Sequence, residues 1–209
     1  MITPIHNHSN YSRLDGLSTV DEIAKRASDL GISSIGLTDH DVVSGHVAFY
    51  KAMTKADIKP ILGVETYQAP ESRLINYGSN NDKQTGNKID NFHLILLAQT
   101  NEGLKNLWRI NTESHRSGFY HHGRADWDLL SKFNEGVICT SACAAGILSS
   151  YIKQEKNYDE VLIKFLDIFK IVSSILRDRI FTVTEIASIE ELVSLEQIFR
   201  ATVEEHIAK

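Results

Sequence analysis

Two imidazoles one residue apart open the chain, His6 and His8 in the stretch MITPIHNHSNYSRLDG, with Asp15 shortly after. On a strand, residues i and i+2 point to one side, so two such rings can grip one metal ion or two adjacent ones. Further metal-competent side chains stand where other apolar runs stop or start. Asp39 and His40 end one run, Glu65 ends another, His93 starts a third and Cys143 follows a fourth. Imidazole, carboxylate and thiolate together suit zinc, manganese or iron. A carboxylate such as Glu65 can bridge two metals. Closely spaced metals clamp the attacking and leaving oxygens of a phosphate and lower the pKa of a bound water. The chemistry that fits best is metal-assisted phosphoester hydrolysis.

Taken singly, each residue has a plainer reading. An H-x-H pair often sits on a surface by chance. Asp and His after a strand are good turn and cap residues. Glu65 alone could be a salt-bridge partner, His93 a satisfied core histidine and Cys143 a small buried hydrophobe. The joint pattern is what carries the site, and the elements that must position it follow from the periodicity.

Ile2 to His6 reads as a short strand. Thr19 to Glu22 has the T-x-x-E form of a capping box, and apolar residues recur at Val20, Ile23, Ala24, Ala27 and Leu30 before Gly31 closes the helix. SSIGLTDH is a strand, SGHVAFYKAMTKAD a helix and IKPILGVETY a strand ending in Glu65. This β-α-β-α-β order predicts a parallel sheet or barrel rather than an antiparallel sandwich. In parallel α/β folds the carboxyl ends of the strands form the active face. His93 departs from that rule because it precedes its run, so its strand either begins earlier or points the other way.

APESRLINYGSNNDKQTGNKIDN, with two glycines and five asparagines, reads as a long surface loop. FHLILLAQ is a buried strand, EGLKNLWRINTESHRSG a helix, GVICTSAC a strand and AAGILSSYIKQEK a helix. Residues 157–177 are helical and apolar nearly all round, which suggests burial against a partner or in a thick barrel wall. DRIFTVTEI is a further strand and 188–209 one or two helices. His46 and His115 fall on helices and are expected to be exposed. Trp108 and Trp127 are expected in the core or an interface.

Composition narrows the class. The 209 residues are 42% hydrophobic and 23% charged, as in an ordinary soluble globular protein. No apolar run is long enough for a membrane span, and no signal-peptide order opens the chain, so a cytoplasmic protein without a membrane partner is expected. Cys139 and Cys143 cannot make a disulfide framework. A net charge of -5 argues against a charge-driven nucleic-acid binder, although bound metals would add positive charge that the composition does not count.

The stretches IHNHSNYSRLDG, IGLTDHDVVSGHVAFYKAMTKADIKPILGVETY, FHLILLAQTNEGLKNLWRI, GFYHHGR and ICTSACAAGIL resemble, in order and spacing, the PHP (polymerase and histidinol phosphatase) family. GFY and SACAAG point to the branch that opens bacterial DNA polymerase III alpha subunits. The resemblance is clear to about residue 150. It implies an α/β fold, a distorted (β/α)7 TIM-like barrel incomplete at its C-terminus, with a PHP domain over 1–186 and a C-terminal helical segment over 187–209. It implies two or three divalent metals (zinc, manganese or iron) at one mouth. His6 and His8 would bind the first metal and Glu65 would bridge. Asp15, His40 and His93 would serve the others, Cys143 stands where this branch has a cysteine ligand, and Asp39 would orient His40. Catalytic roles fall to Asp39, His40 and Glu65. In GFYHHGR, His121 and Arg124 are the candidate substrate contacts, and Arg116 could also meet a phosphate.

The implied reaction is phosphoester hydrolysis, of the 3′–5′ exonuclease kind at a DNA 3′ end, with polymerase domains or replisome subunits as partners. Two other readings stand beside it, a catalytically silent module supporting a polymerase or partner, and a small-molecule phosphatase of the histidinol phosphatase kind. The family pattern closes its site with an Asp-x-His on the last strand. The nearest candidate here, Glu204 with His206 in VEEHIAK, follows a helical stretch, so the chain is expected to stop short of its final ligands.

Overall fold

The computed structural model describes residues 3–76, 91–140, 142–147 and 150. Four helices and five strands lie among them. Helix α1 (Val20–Asp29) starts where Thr19 accepts a hydrogen bond from the Glu22 backbone N–H and Glu22 accepts one from Thr19, the reciprocal cap that the sequence predicts. It buries Val20, Ala24 and Ala27. Leu30 lies outside that stripe, half-exposed at the C-cap, and Gly31 follows with φ +66°. Helix α2 spans His46–Lys55. Helix α3 (Asn101–Ser117) is capped by Thr100, which accepts from Gly103 N–H. Helix α4 (Trp127–Lys132) is capped by Asp126, which accepts from Leu129 N–H. It is too short to impose a period on the sequence, and it was not anticipated; nor was the two-residue strand before it.

The strands are β1 (Ser34–Leu37), β2 (Lys59–Gln68), β3 (Phe92–Ala98), β4 (Arg124–Ala125) and β5 (Val137–Thr140). They form one mixed sheet in the order β1-β2-β3-β5, with β4 also on β2. The α/β class holds, and β1 and β2, joined through α2, are parallel. The parallel order expected from the first 65 residues does not extend to β3, whose direction the sequence leaves open and which runs antiparallel to both β2 and β5. A parallel return needs a long crossover connection, usually a helix. The polar stretch between β2 and β3 has no helical apolar stripe to supply one.

Ile2 to His6 was expected to be a strand. Among the described residues, 3–9 take no strand assignment, although they run beside β1. Gly36 N–H donates to Pro4 O and Thr38 N–H to Asn7 O, so partners advance by two residues on β1 and by three on the N-terminal segment. One residue is therefore looped out, as in a bulge. The Asn7 side chain fills the break by donating to Pro4 O and Gly36 O. A Cβ on Gly36 would lie 2.8 Å from Ile5 O, which explains why the segment can pass so close.

Two apolar clusters support the sheet. Val20, Ala24, Ala27, Ile35, Leu37, Phe49, Ala52, Met53 and Ile58 join α1 and α2 to β1. Val64, Leu94, Leu96, Leu107, Ile110 and Leu129 join α3 and α4 to β2 and β3. Val64 pairs with Leu96 and faces this second cluster, so alternation along β2 turns Glu65 and Tyr67 to the opposite side. No helix among the described residues is long and apolar enough to cross a membrane. The expected elements beyond residue 150, the boundary near 186, the segment 187–209, and Glu204 and His206 lie outside the described residues.

Candidate metal centre

Glu65 is the hub. Its carboxylate is almost fully buried and four imidazoles reach it. His6 Nε2 and His8 Nε2 each lie 3.0 Å from Oε2, His40 Nε2 3.2 Å from Oε2, and His93 Nδ1 3.0 Å from Oε1. Cys143 Sγ sits 3.8 Å from Oε1 and 3.6 Å from His93 Nδ1. Asp15 joins through His8 Nδ1, with which its carboxylate is paired. All seven residues expected to bind metal therefore converge.

Each arrives by a different route. The β1–β2 register continues past Leu37 and Leu62 to an isolated parallel bridge between His40 and Glu65. His93 is opposite Tyr67, two positions along from Glu65, and cross-strand partners share a face. Because β3 is antiparallel, its first residues lie at the carboxyl end of β2, and this resolves why His93 precedes its run. His93 N–H in turn donates to Ala145 O, which brings the Cys143 loop alongside. Asp15 rides on a tight loop in which a Cβ on Gly16 would lie 1.9 Å from Ser9 O.

Electrostatics make the hub an anion. Burial pushes the Glu65 carboxyl up. Hydrogen bonds from His8 and His93, the charge of His40 and a hydrogen bond from His6 outweigh it and hold the group well below the usual carboxylate range. His8 is raised, chiefly by its hydrogen bond to Glu65, against burial and with help from Asp15. His40 is lowered by burial.

The donor set fits divalent metals. His6, His8 and Glu65 offer ligand atoms within 4.8 Å of one another, as do His8, Asp15 and His40, and His40, Glu65 and His93. Three nitrogens crowd Glu65 Oε2, more than its two lone pairs can serve, and a shared cation would relieve that crowding. Nitrogen, carboxylate and thiolate donors suit zinc, manganese or iron.

Three expected roles are corrected. Asp39 does not hold His40. Its carboxylate accepts from Ser9 N–H at 2.6 Å and Ser9 Oγ at 2.9 Å, fastening the loop after His8, while His40 Nδ1 is buried with no hydrogen-bond partner among the described residues. His40 is oriented instead by its backbone N–H, which donates to Ser12 Oγ, and by stacking on Tyr67. Arg124 is not a substrate contact. It is 1% exposed and donates to the carbonyls of Gly118, Ile75 and Arg73, clamping the segment after β2. His121 sits exposed against Tyr120, and its neighbour His122 is the ring that approaches the cluster, stacked on Tyr67 at 4.2 Å. Arg116 is exposed and pairs with Glu113.

Sequence reasoning missed Tyr67, which stacks with His40 and His122 and meets His93 edge-on. Its spacing of two from Glu65 was the available signal. Ser9 and Ser12, both fully buried, were missed as well; Ser12 donates to Asp15.

A family model described as "PHP domain" matches residues 4–174. The DNA polymerase III subunit alpha of Aquifex aeolicus is 38% identical over 167 residues, covering 79% of this chain and 14% of that protein. The DNA polymerase III subunit alpha of Borreliella burgdorferi is 41% identical over 155 residues, covering 74% of this chain and 13% of that protein. The chain thus spans about one seventh of the length of these relatives. A solved amidohydrolase structure from Chromobacterium violaceum, with bound sulfate and no metal, aligns with a TM-score of 0.35 at 23% identity, covering 55% of this chain and 35% of that one.

Proposed function

This chain belongs to the PHP domain family, and from that premise we propose that it is the metal-dependent phosphoesterase module of a DNA polymerase III alpha-type protein, acting as a 3′–5′ exonuclease on a DNA 3′ end in the cytoplasm. The observation that carries the reading is the convergence of four imidazoles on the single buried carboxylate of Glu65.

In this reading His6, His8 and Glu65 would hold one metal, and Asp15, His40, His93 and Cys143 would help hold the others. Two or three divalent ions there supply Lewis-acid activation of water and neutralise charge developing on a phosphoryl group. The chain's own residues do the remainder. Glu65 gathers four rings around one buried carboxylate. Asp39 and Ser9 lock the loop behind His8, and Ser12 ties Asp15 to the His40 backbone. Tyr67 and His122 form an aromatic rim beside His40 and His93. Polymerase domains or replisome subunits are the proposed partners.

Elemental analysis of the purified chain beside a 3′-end-labelled DNA assay, repeated with His8→Ala, tests the reading. Bound zinc, manganese or iron with nucleotide release that His8→Ala abolishes supports it. Bound metal without hydrolysis of DNA turns the reading to a silent support module. Hydrolysis of small phosphomonoesters alone turns it to a phosphatase.

A further inference from the structure

His46 was expected on an exposed helix face, yet it is 2% exposed and belongs to no part of the cluster described above. Its position coincides with a defect in the sheet. The β1–β2 ladder stops at the pair Leu37–Leu62 and resumes as the single bridge His40–Glu65. In the gap the Gly63 carbonyl meets His46 Nε2 at 2.8 Å. A carbonyl only accepts, so Nε2 carries the proton. On the other side of the ring, Trp108 Nε1–H donates to Nδ1 at 3.1 Å, and an indole N–H only donates. The two partners therefore select one neutral tautomer. An imidazolium here would set N–H against N–H, and His46 is the first residue of α2, where a positive ring is disfavoured.

We infer that His46 is a positioning residue for the metal centre: its imidazole replaces the missing rung between β1 and β2 and, through Gly63, sets Glu65 against His40. Gly63 is two residues before Glu65 on β2. A Cβ there would lie 2.6 Å from Leu96 O and 3.0 Å from the Thr38 side chain, so no side chain at 63 can fill the gap, and the His46 ring reaches the carbonyl instead. Asp41 N–H to Glu65 O and Glu65 N–H to Asp39 O are the two hydrogen bonds that the brace protects. Trp108, from α3, holds the ring from the far side, so three elements meet at one imidazole. The link to metal binding rests on the functional reading given above; the mechanical link between His46 and the bridge does not.

Amide hydrogen exchange of the full chain, read at Asp41 and Glu65, tests the mechanical part. His46→Leu is expected to speed exchange at these two amides about tenfold or more while leaving Ile35 and Leu37 as in the wild type. His46→Gln, which keeps one donor and one acceptor, is expected to restore most of the protection. Trp108→Phe, at a half-exposed position, is expected to give the same pattern at smaller amplitude and carries the test if His46→Leu does not fold. Zinc titration of the same variants is expected to show affinity about tenfold weaker for His46→Leu and rescued by His46→Gln. Unchanged exchange at Asp41 and Glu65 in the folded variants overturns the inference, whatever the zinc result. A wild-type chain that binds no zinc defeats the metal-centre reading and leaves the exchange result to decide the role of His46.

Discussion

His40 and Glu65 are partners across two parallel segments, bridged by their backbones and joined at their side chains, with His40 Nε2 3.2 Å from Glu65 Oε2. The sheet register itself therefore sets a ring against the hub carboxylate. Replacing Glu65 by Gln keeps the shape and removes the anion that four imidazoles share. Zinc affinity is expected to fall by more than about 100-fold while far-ultraviolet circular dichroism stays native. Competition with a chromophoric chelator measures it, and wild-type affinity in Glu65→Gln would remove Glu65 from the centre.

The two cysteines should differ sharply. Cys139 is buried in the cluster under β3, and burial pushes its thiol up to about 12. Cys143 is half-buried beside His93 and Glu65. In the native chain a thiol-directed reagent is expected to label Cys143 and leave Cys139 until denaturant is added, with zinc slowing the reaction at Cys143. Peptide mass spectrometry reads both sites.

Asp126 gives a pH dependence with a definite sign. Burial raises its carboxyl, but hydrogen bonds from the Arg73 and Leu129 backbones and from the Arg73 side chain, together with the Arg73 charge, hold it below the usual range. A depressed folded-state pKa contributes stability that is present above the unfolded value and lost as pH falls through the folded one. Asp126→Asn can keep one oxygen on the Leu129 N–H that caps α4, but it removes the negative charge beside Arg73 and turns an NH2 toward the Arg73 backbone N–H. It is expected to cost about 2 kcal/mol at neutral pH, a difference that shrinks in acid below the unfolded carboxylate range. Urea unfolding at neutral and acid pH tests it.

Arg124 should act on stability alone. Its guanidinium donates to the carbonyls of Gly118, Ile75 and Arg73, and Arg124→Met removes all three donors and leaves the buried Gly118 carbonyl without this one. The expected loss is about 3 kcal/mol. KM for any phosphoester turned over by the folded variant should stay at the wild-type value, and a raised KM at full stability would return Arg124 to the substrate.

Much of this protein is legible in its sequence because the governing physics is local. The cap at Thr19 and Glu22, the stripe Val20-Ala24-Ala27 and the parallel pair β1–β2 follow from spacing over a few residues. The sequence also places His40 and Glu65 near the ends of these runs, although β1 stops at Leu37 and β2 runs on past Glu65 to Gln68. A polar residue's partner across the fold leaves no such trace. Nothing near Asp39 says that it binds Ser9, nothing near Arg124 says that three carbonyls surround it, and a histidine that opens a helix gives no hint that it closes a gap in the sheet. The direction of β3 was equally open, since an apolar run reads the same both ways. Only the tertiary structure decides that it returns antiparallel, and that choice brings His93 to the carboxyl end of β2, where His6, His8 and His40 already face Glu65. Residue types and local periods set which groups could meet; long-range pairing and burial set which of them do.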